Sequence, residues 1–191
     1  MISLDNFIID NIFTDEEISV IYDHVNNTPE EKRYLQDCFG HTAYFSWLPE
    51  SIIKKIEKVV AENFDMPLIL RELSFARYDT ADGKKPALYP HFDETFQEQR
   101  VTVDIQVKST MPWAIVVEDK PYVLQDNQAL VFGGTHQIHW REKVAFSDTD
   151  HVDMIFCHFS EPLDVAAPHS AEHLEKMLLK QQKYKDAYYA N

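Results

Sequence analysis

The chain has 191 residues, 45% hydrophobic and 13% aromatic, enough for one globular domain with a sizeable core and too apolar for a disordered chain. Its formal net charge of −14 opposes a phosphate backbone, so nucleic acid is not an expected partner. The longest apolar runs, such as Trp113-Ala114-Ile115-Val116-Val117, are strand-sized and fall well short of the roughly 20 residues a membrane helix needs, so no membrane span is expected.

The opening Met1-Ile2-Ser3-Leu4-Asp5-Asn6-Phe7 lacks a basic region followed by a sustained apolar one, which leads us to expect a cytoplasmic protein. Thr14 followed by Asp15, Glu16 and Glu17 reads as a capped helix start, and Ile18, Ile21, Tyr22 and Val25 recur at helical spacing, predicting a helix from about Asp15 to Asn26. Pro49-Glu50-Ser51 opens a second helix whose stripe of Ile52, Ile53, Ile56, Val59, Val60 and Phe64 faces a core. Cys38 and Cys157 are two widely spaced residues with no C-x-x-C pattern, so reduced, buried thiols are expected rather than a zinc knuckle or a disulfide scaffold.

From Leu68 the texture changes to short strand-like runs at 68–78, 101–107, 113–117, 122–124, 129–132 and 152–159, with no helical period between them. That order predicts an antiparallel sandwich or barrel rather than a βαβ fold. After Pro162 and Pro168 the pattern is helical again, with Ala171, Leu174, Met177 and Leu178 on one stripe, to pack on the sheet or to serve a homo-oligomer. The expectation is one mainly β domain over 1–191 with flanking helices: a helical support over 1–67, a β core over 68–160 and a C-terminal helix over 161–191.

Two stretches carry the chemistry. In Tyr89-Pro90-His91-Phe92-Asp93, an extended backbone would project His91 and Asp93 to one side with Phe92 opposite. About fifty residues on, Val131 to Glu142 contains His136 and His139. One more histidine beside the H-x-D pair would give two nitrogens and one oxygen on one face of a metal, the facial triad of non-heme Fe(II) oxygenases. H-x-D alone is weak evidence, because polar pairs at that spacing commonly face solvent. His136 and His139, three apart, cannot both point inward from a regular strand.

The flanks narrow this. Phe75-Ala76-Arg77-Tyr78 with Gly83 upstream, Arg100-Val101-Thr102 downstream, then Asp126-Asn127-Gln128-Ala129-Leu130-Val131-Phe132-Gly133-Gly134 and His139-Trp140-Arg141-Glu142, resemble the Fe(II)/2-oxoglutarate-dependent dioxygenase superfamily, particularly its small prolyl-hydroxylase-like members, over roughly residues 70–160. The resemblance implies a double-stranded β-helix, or jelly roll, buttressed by N-terminal helices. It also implies Fe(II) held by His91, Asp93 and His139, with 2-oxoglutarate as cosubstrate, O2, and a small-molecule, amino-acid-like substrate that is hydroxylated at a C–H bond. His136 is then left as a loop histidine.

In that superfamily an Arg or Lys on the strand after the distal histidine holds the far carboxylate of 2-oxoglutarate, whereas 150–159 here contains neither. Arg141, His151, His158, Arg77 and Arg100 are the candidates to replace it. Tyr78 resembles the tyrosine that bonds the cosubstrate, with Tyr89 as its rival. Alternation along 100–107 puts Thr102, Asp104 and Gln106 on one face, either bathed in water or, as the resemblance implies, lining the substrate pocket. The missing strand cation leaves two other readings open: an Fe(II) oxygenase that does without 2-oxoglutarate, and a non-catalytic jelly roll that binds a ligand.

Overall fold

A computed structural model describes residues 5–36, 40–44, 47–93, 101–162 and 170–190. Cys38, Arg100 and Pro168 lie outside these residues. In chain order the elements are β1 (Phe7–Asp10), α1 (Asp15–Asn26), β2 (Arg33–Gln36), β3 (His41–Tyr44), α2 (Glu50–Ala61), β4 (Ile69–Asp79), β5 (Val101–Ser109), β6 (Ile115–Val117), β7 (Lys120–Tyr122), β8 (Gln128–Phe132), β9 (His139–Arg141), β10 (His151–Ser160) and α3 (Ala171–Ala190).

Among the described residues the strands form a seven-stranded sheet in the order β1-β8-β5-β10-β4-β3-β2 and a three-stranded sheet in the order β7-β6-β9. Every pairing is antiparallel. The two sheets meet through apolar inner-face side chains, Ile115 and Val117 of β6 packing with Leu130 and Phe132 of β8. This is the jelly-roll architecture that the strand spacing and the resemblance predict.

The outer face of the large sheet lies under α1 and α2. Thr14 caps α1 through a reciprocal pair: its Oγ1 accepts from the Glu17 amide at 3.2 Å, and its own amide donates to the Glu17 carboxylate at 2.8 Å. Such a box contributes about 1 kcal/mol. Ile21 and Val25 of α1 and Ile52, Ile56 and Val60 of α2 share one apolar cluster with Phe75, Val103, Ile105 and Ile155. Burying each of these side chains contributes about 2 kcal/mol.

Three departures from the sequence expectations have local causes. The segment 1–67 supplies β1, β2 and β3 as well as helices; at four residues each, these strands are too short to show a period. The strand expected at 122–124 sits at Lys120–Tyr122, because Glu118 and Asp119 take positive φ (49° and 67°) and close a two-residue hairpin between Val117 and Lys120. Arg77 points to the helix layer, where Asp153 binds it at 2.7 and 2.8 Å and Tyr22 donates to the same carboxylate at 2.8 Å. It is therefore committed to a structural ion pair on the face opposite the jelly-roll interior.

The C-terminal helix packs on its own chain. Met177 joins Phe92 and Ile138, Lys180 pairs with Glu118 at 2.6 Å, and Lys185 lies over the Tyr89 ring at 4.4 Å. Cys157 is a buried free thiol. No helix among the described residues is long and apolar enough to cross a membrane.

Candidate metal centre

Backbone pairing, rather than a long strand, aligns the candidate ligands. His91 and His139 exchange amide hydrogen bonds, each 3.0 Å long, in an isolated antiparallel bridge, and the Asp93 amide donates to Gly134 O at 3.0 Å. The two imidazoles therefore stand side by side, ring centroids 4.2 Å apart, with Asp93 on the same side as His91. One ligand atom from each of His91, Asp93 and His139 lies within 4.8 Å of the others.

Second contacts fix which atoms face inward. Nδ1 of His91 donates to Tyr89 O at 2.9 Å and Nδ1 of His139 to Gln137 O at 3.1 Å, which turns Nε2 of each ring toward Asp93. His139 Nε2 lies 3.1 Å and His91 Nε2 3.8 Å from Asp93 Oδ1. The other oxygen, Oδ2, accepts from the Thr102 hydroxyl and lies 3.5 Å from His158 Nε2. Asp93 thus has one oxygen tethered and one turned to the two imidazoles.

The electrostatics differ across the set: burial works to lower His139, but the Asp93 carboxylate and the Gln137 carbonyl raise its pKa, so in the metal-free cluster it is the group that carries the proton beside Asp93. Burial, reinforced by the charge on His139, depresses His91 to about 3, so its imidazole is neutral as a ligand must be. Burial alone would raise Asp93, but the His139 and His158 imidazoles outweigh it and hold the carboxyl well below its ordinary value. The group is an anion throughout the physiological range.

Gly134 is required by this packing. A Cβ there would overlap the Asp93 carboxylate and the Thr102 hydroxyl, so only a residue without one lets the Gly133–Gln137 turn approach. His136 sits half-buried in that same turn, outside the cluster.

A cavity of about 210 Å³ opens beside the three candidate ligands, with Tyr78, Asp104, Phe156 and His158 among its walls. Strand register sets its depth. Across β5 and β10, Thr102 lies opposite His158, Asp104 opposite Phe156, and Gln106 opposite Met154. The inner wall therefore descends from the ligand cluster in pleats.

Arg141, two residues along β9 from His139, reaches the third pleat. Its Nη2 points at the Met154 sulfur at 3.3 Å and its Nη1 donates to Trp113 O at 2.6 Å, the guanidinium lying 4.7 Å from the Trp113 ring centroid. The residue is 1% exposed, its Nε has no hydrogen-bond partner, and no carboxylate of the described residues forms an ion pair with it. Such a charge ordinarily requires an anion. The strand that lacks a basic residue of its own thus has one laid against it by its neighbour.

The remaining sequence candidates separate. Tyr78 is fully buried in the cavity wall, whereas Tyr89 is half-buried under Lys185. His151 is not in this cavity; it lines a surface cleft with Asp79, Asp148 and Asp150, because it begins β10 at the end remote from His158. Thr102 is a partner of Asp93 rather than an open wall. Gln106 is turned away, its amide donating to Leu124 O at 3.1 Å. Asp104 stays in the wall at 3% exposure.

The water-bathed reading of Thr102, Asp104 and Gln106 fails, since all three are buried. Glu72, Ser74, His41 and Leu88 also line the cavity, and nothing in their local sequence singled them out. Gly134 could have been found as a glycine within the turn that precedes the distal histidine.

No family model matches the chain, and no curated protein matches it. Solved structures do. An oxidoreductase of the 2OG-Fe(II) oxygenase family from Burkholderia pseudomallei matches with a TM-score of 0.62 at 14% identity, over 81% of this chain and 85% of its own. The non-heme alpha ketoglutarate dependent epimerase SnoN from nogalamycin biosynthesis matches at 0.67 and 9% identity, over 90% and 84%. HygX from Streptomyces hygroscopicus, with nickel and 2-oxoglutarate bound, matches at 0.58 and 9%, over 83% of each chain. At such identities the likeness is one of fold: this chain has the jelly roll found in Fe(II)/2-oxoglutarate oxygenases.

Proposed function

We propose that the protein is an Fe(II)- and 2-oxoglutarate-dependent dioxygenase that hydroxylates a C–H bond of a small, amino-acid-like molecule. The observation that carries this reading is the pairing of the His91, Asp93 and His139 cluster with a buried Arg141 guanidinium, deeper in the same jelly roll, that has no carboxylate in contact among the described residues. Two imidazoles and a carboxylate would suit a divalent iron with room left for small ligands. When bound, iron chelated by the keto acid supplies, with O2, an oxidant for an unactivated C–H bond, and 2-oxoglutarate leaves as succinate and CO2.

The chain's own residues do the rest. His91 and His139 offer Nε2 because carbonyls hold their Nδ1–H groups. Thr102 and His158 steady the outer oxygen of Asp93. Arg141 is assigned the distal carboxylate of the cosubstrate, with Tyr78 beside it, since a guanidinium matches a carboxylate in two parallel hydrogen bonds. Phe156 and Leu88 give the cavity an apolar flank beside the ligand cluster.

The test is anaerobic titration of the iron-loaded protein with 2-oxoglutarate, following the visible charge-transfer band of the chelate, on wild type and Arg141→Met. Arg141→Met should keep stoichiometric iron and bind the keto acid at least about a hundredfold more weakly. If the variant titrates like wild type, Arg141 does not hold the cosubstrate. If wild type shows no band under anaerobic conditions and no succinate once O2 is admitted, the enzyme is an iron oxygenase that does without 2-oxoglutarate, or no oxygenase at all.

A further inference from the structure

Two opposite charges are buried in this jelly roll near enough to attract each other, yet they do not close into contact. Arg141 and Asp104 are 1% and 3% exposed, and they form no ion pair with each other. Among the described residues Asp104 accepts no hydrogen bond and makes no ion-pair contact, although it belongs to the cavity wall; Arg141, His139 and His158 act on it only through their charge. A carboxylate taken out of water without compensation is costly, and a pair present for stability alone would be expected to close. Each charge is therefore placed for a counter-charge that arrives from outside.

The balance of charges shows which sign is missing. A divalent metal and Arg141 balance Asp93 and a dicarboxylate cosubstrate, and Glu72 lies 3.4 Å from His158 Nδ1. Asp104 is the carboxylate left over. It stands one pleat from Thr102, opposite Phe156, in the stretch of wall between the ligand cluster and Met154. Ser74 lies opposite Phe156 on its other side, and Glu72 opposite His158, so the route along β10 is flanked by oxygen acceptors on β4 and β5.

We propose that Asp104 is a substrate subsite for a cationic group, an ammonium or guanidinium, delivered alongside the cosubstrate. The assignment rests on the reading above, in which Arg141 takes the cosubstrate carboxylate. It narrows the substrate to cationic amino-acid-like molecules and amines and excludes dicarboxylates. In the free cavity, burial and then the neighbouring Asp93 charge push the Asp104 carboxyl up to about 6, as expected for a group awaiting a partner.

The experiment uses the iron-loaded full chain under anaerobic conditions, with L-lysine and agmatine as probes and L-norleucine as the uncharged control. Binding is read by calorimetry and by perturbation of the chelate band, in wild type and Asp104→Asn. Lysine or agmatine should bind and norleucine should not. Asp104→Asn should weaken the cationic probes at least tenfold while changing 2-oxoglutarate affinity less than twofold. Asp104→Glu, which keeps the charge, should restore part of the loss and excludes a mere folding defect.

The proposal is overturned if neither cationic probe binds, or if they bind Asp104→Asn as they bind wild type. It is also overturned if Asp104→Asn tightens 2-oxoglutarate, which would show that Asp104 faces the cosubstrate as a protonated acid. Failure of the 2-oxoglutarate reading gives a different pattern: no chelate band in any protein, while calorimetry still reports whether Asp104 binds the amine.

Discussion

On the outer face of β5, Val101, Val103 and Ile105 lie in the apolar cluster beneath α1 and α2; on its inner face Thr102, Asp104 and Gln106 are buried to the same depth yet are polar. The outer face is held by area and shape, and its residues are interchangeable with others of similar volume. On the inner face the polar groups have separate roles. Thr102 steadies Asp93, Gln106 ties down Leu124, and Asp104 is left open to the cavity. A polar face that has lost its water without gaining a full set of partners marks where a ligand belongs.

The contrast between the faces is tested most severely at Gly134, which belongs to the inner face although it lies on the turn after β8. Gly134→Ala should lower metal affinity at least about a hundredfold, because the new methyl displaces the Asp93 carboxylate and its Thr102 tether together. Metal stoichiometry by elemental analysis and fold by circular dichroism are the two measurements. A variant that folds and keeps its metal would show that the turn gives way and that the cradle is not required.

The opposite face predicts the opposite outcome. Ile105→Ala should destabilise the protein by about 3 kcal/mol in urea unfolding, through lost burial and a residual cavity. Metal affinity should change less than threefold, because Ile105 points away from the cluster. A loss of metal with only slight destabilisation would mean that the two faces are coupled and that the division drawn across β5 is wrong.

The same division explains what could be read in the sequence. Thr14 with Glu17 announced α1 because a capping box is local, and the alternation of 101–107 announced β5 because a strand's period is local too. H-x-D followed by a distant histidine picked out the side chains that the fold assembles, since a bridge between two short extended stretches suffices to align them. Non-local facts were not visible. Alternation is identical whether the polar face meets water or a cavity, so the burial of Asp104 depended on β8 and β10 flanking β5 and on the small sheet closing over it. The deep placement of Arg141 required the register of β9 on β6, where it pairs with Ile115.

His41 offers the smallest effect and the finest test, because it is a cavity-wall residue that is not a candidate ligand. It is 4% exposed, pairs across the sheet with Tyr78, and packs its ring on those of Tyr78 and Phe156 at 4.7 and 6.3 Å. Burial, with a smaller contribution from Lys84, lowers its pKa from 6.5 to about 4. The unfolded chain takes up a proton below 6.5 that the folded chain refuses until about 4, so stability is lost as pH falls through that window. At pH 5 the loss amounts to about 2 kcal/mol. His41→Asn lacks this group, so urea unfolding of both proteins at pH 7.5 and pH 5, with the same metal load, should show wild type losing about 2 kcal/mol more than the variant. An equal loss in both would mean that His41 is protonated in the folded cavity, and that the inner wall is wet enough to solvate a charge at its far end.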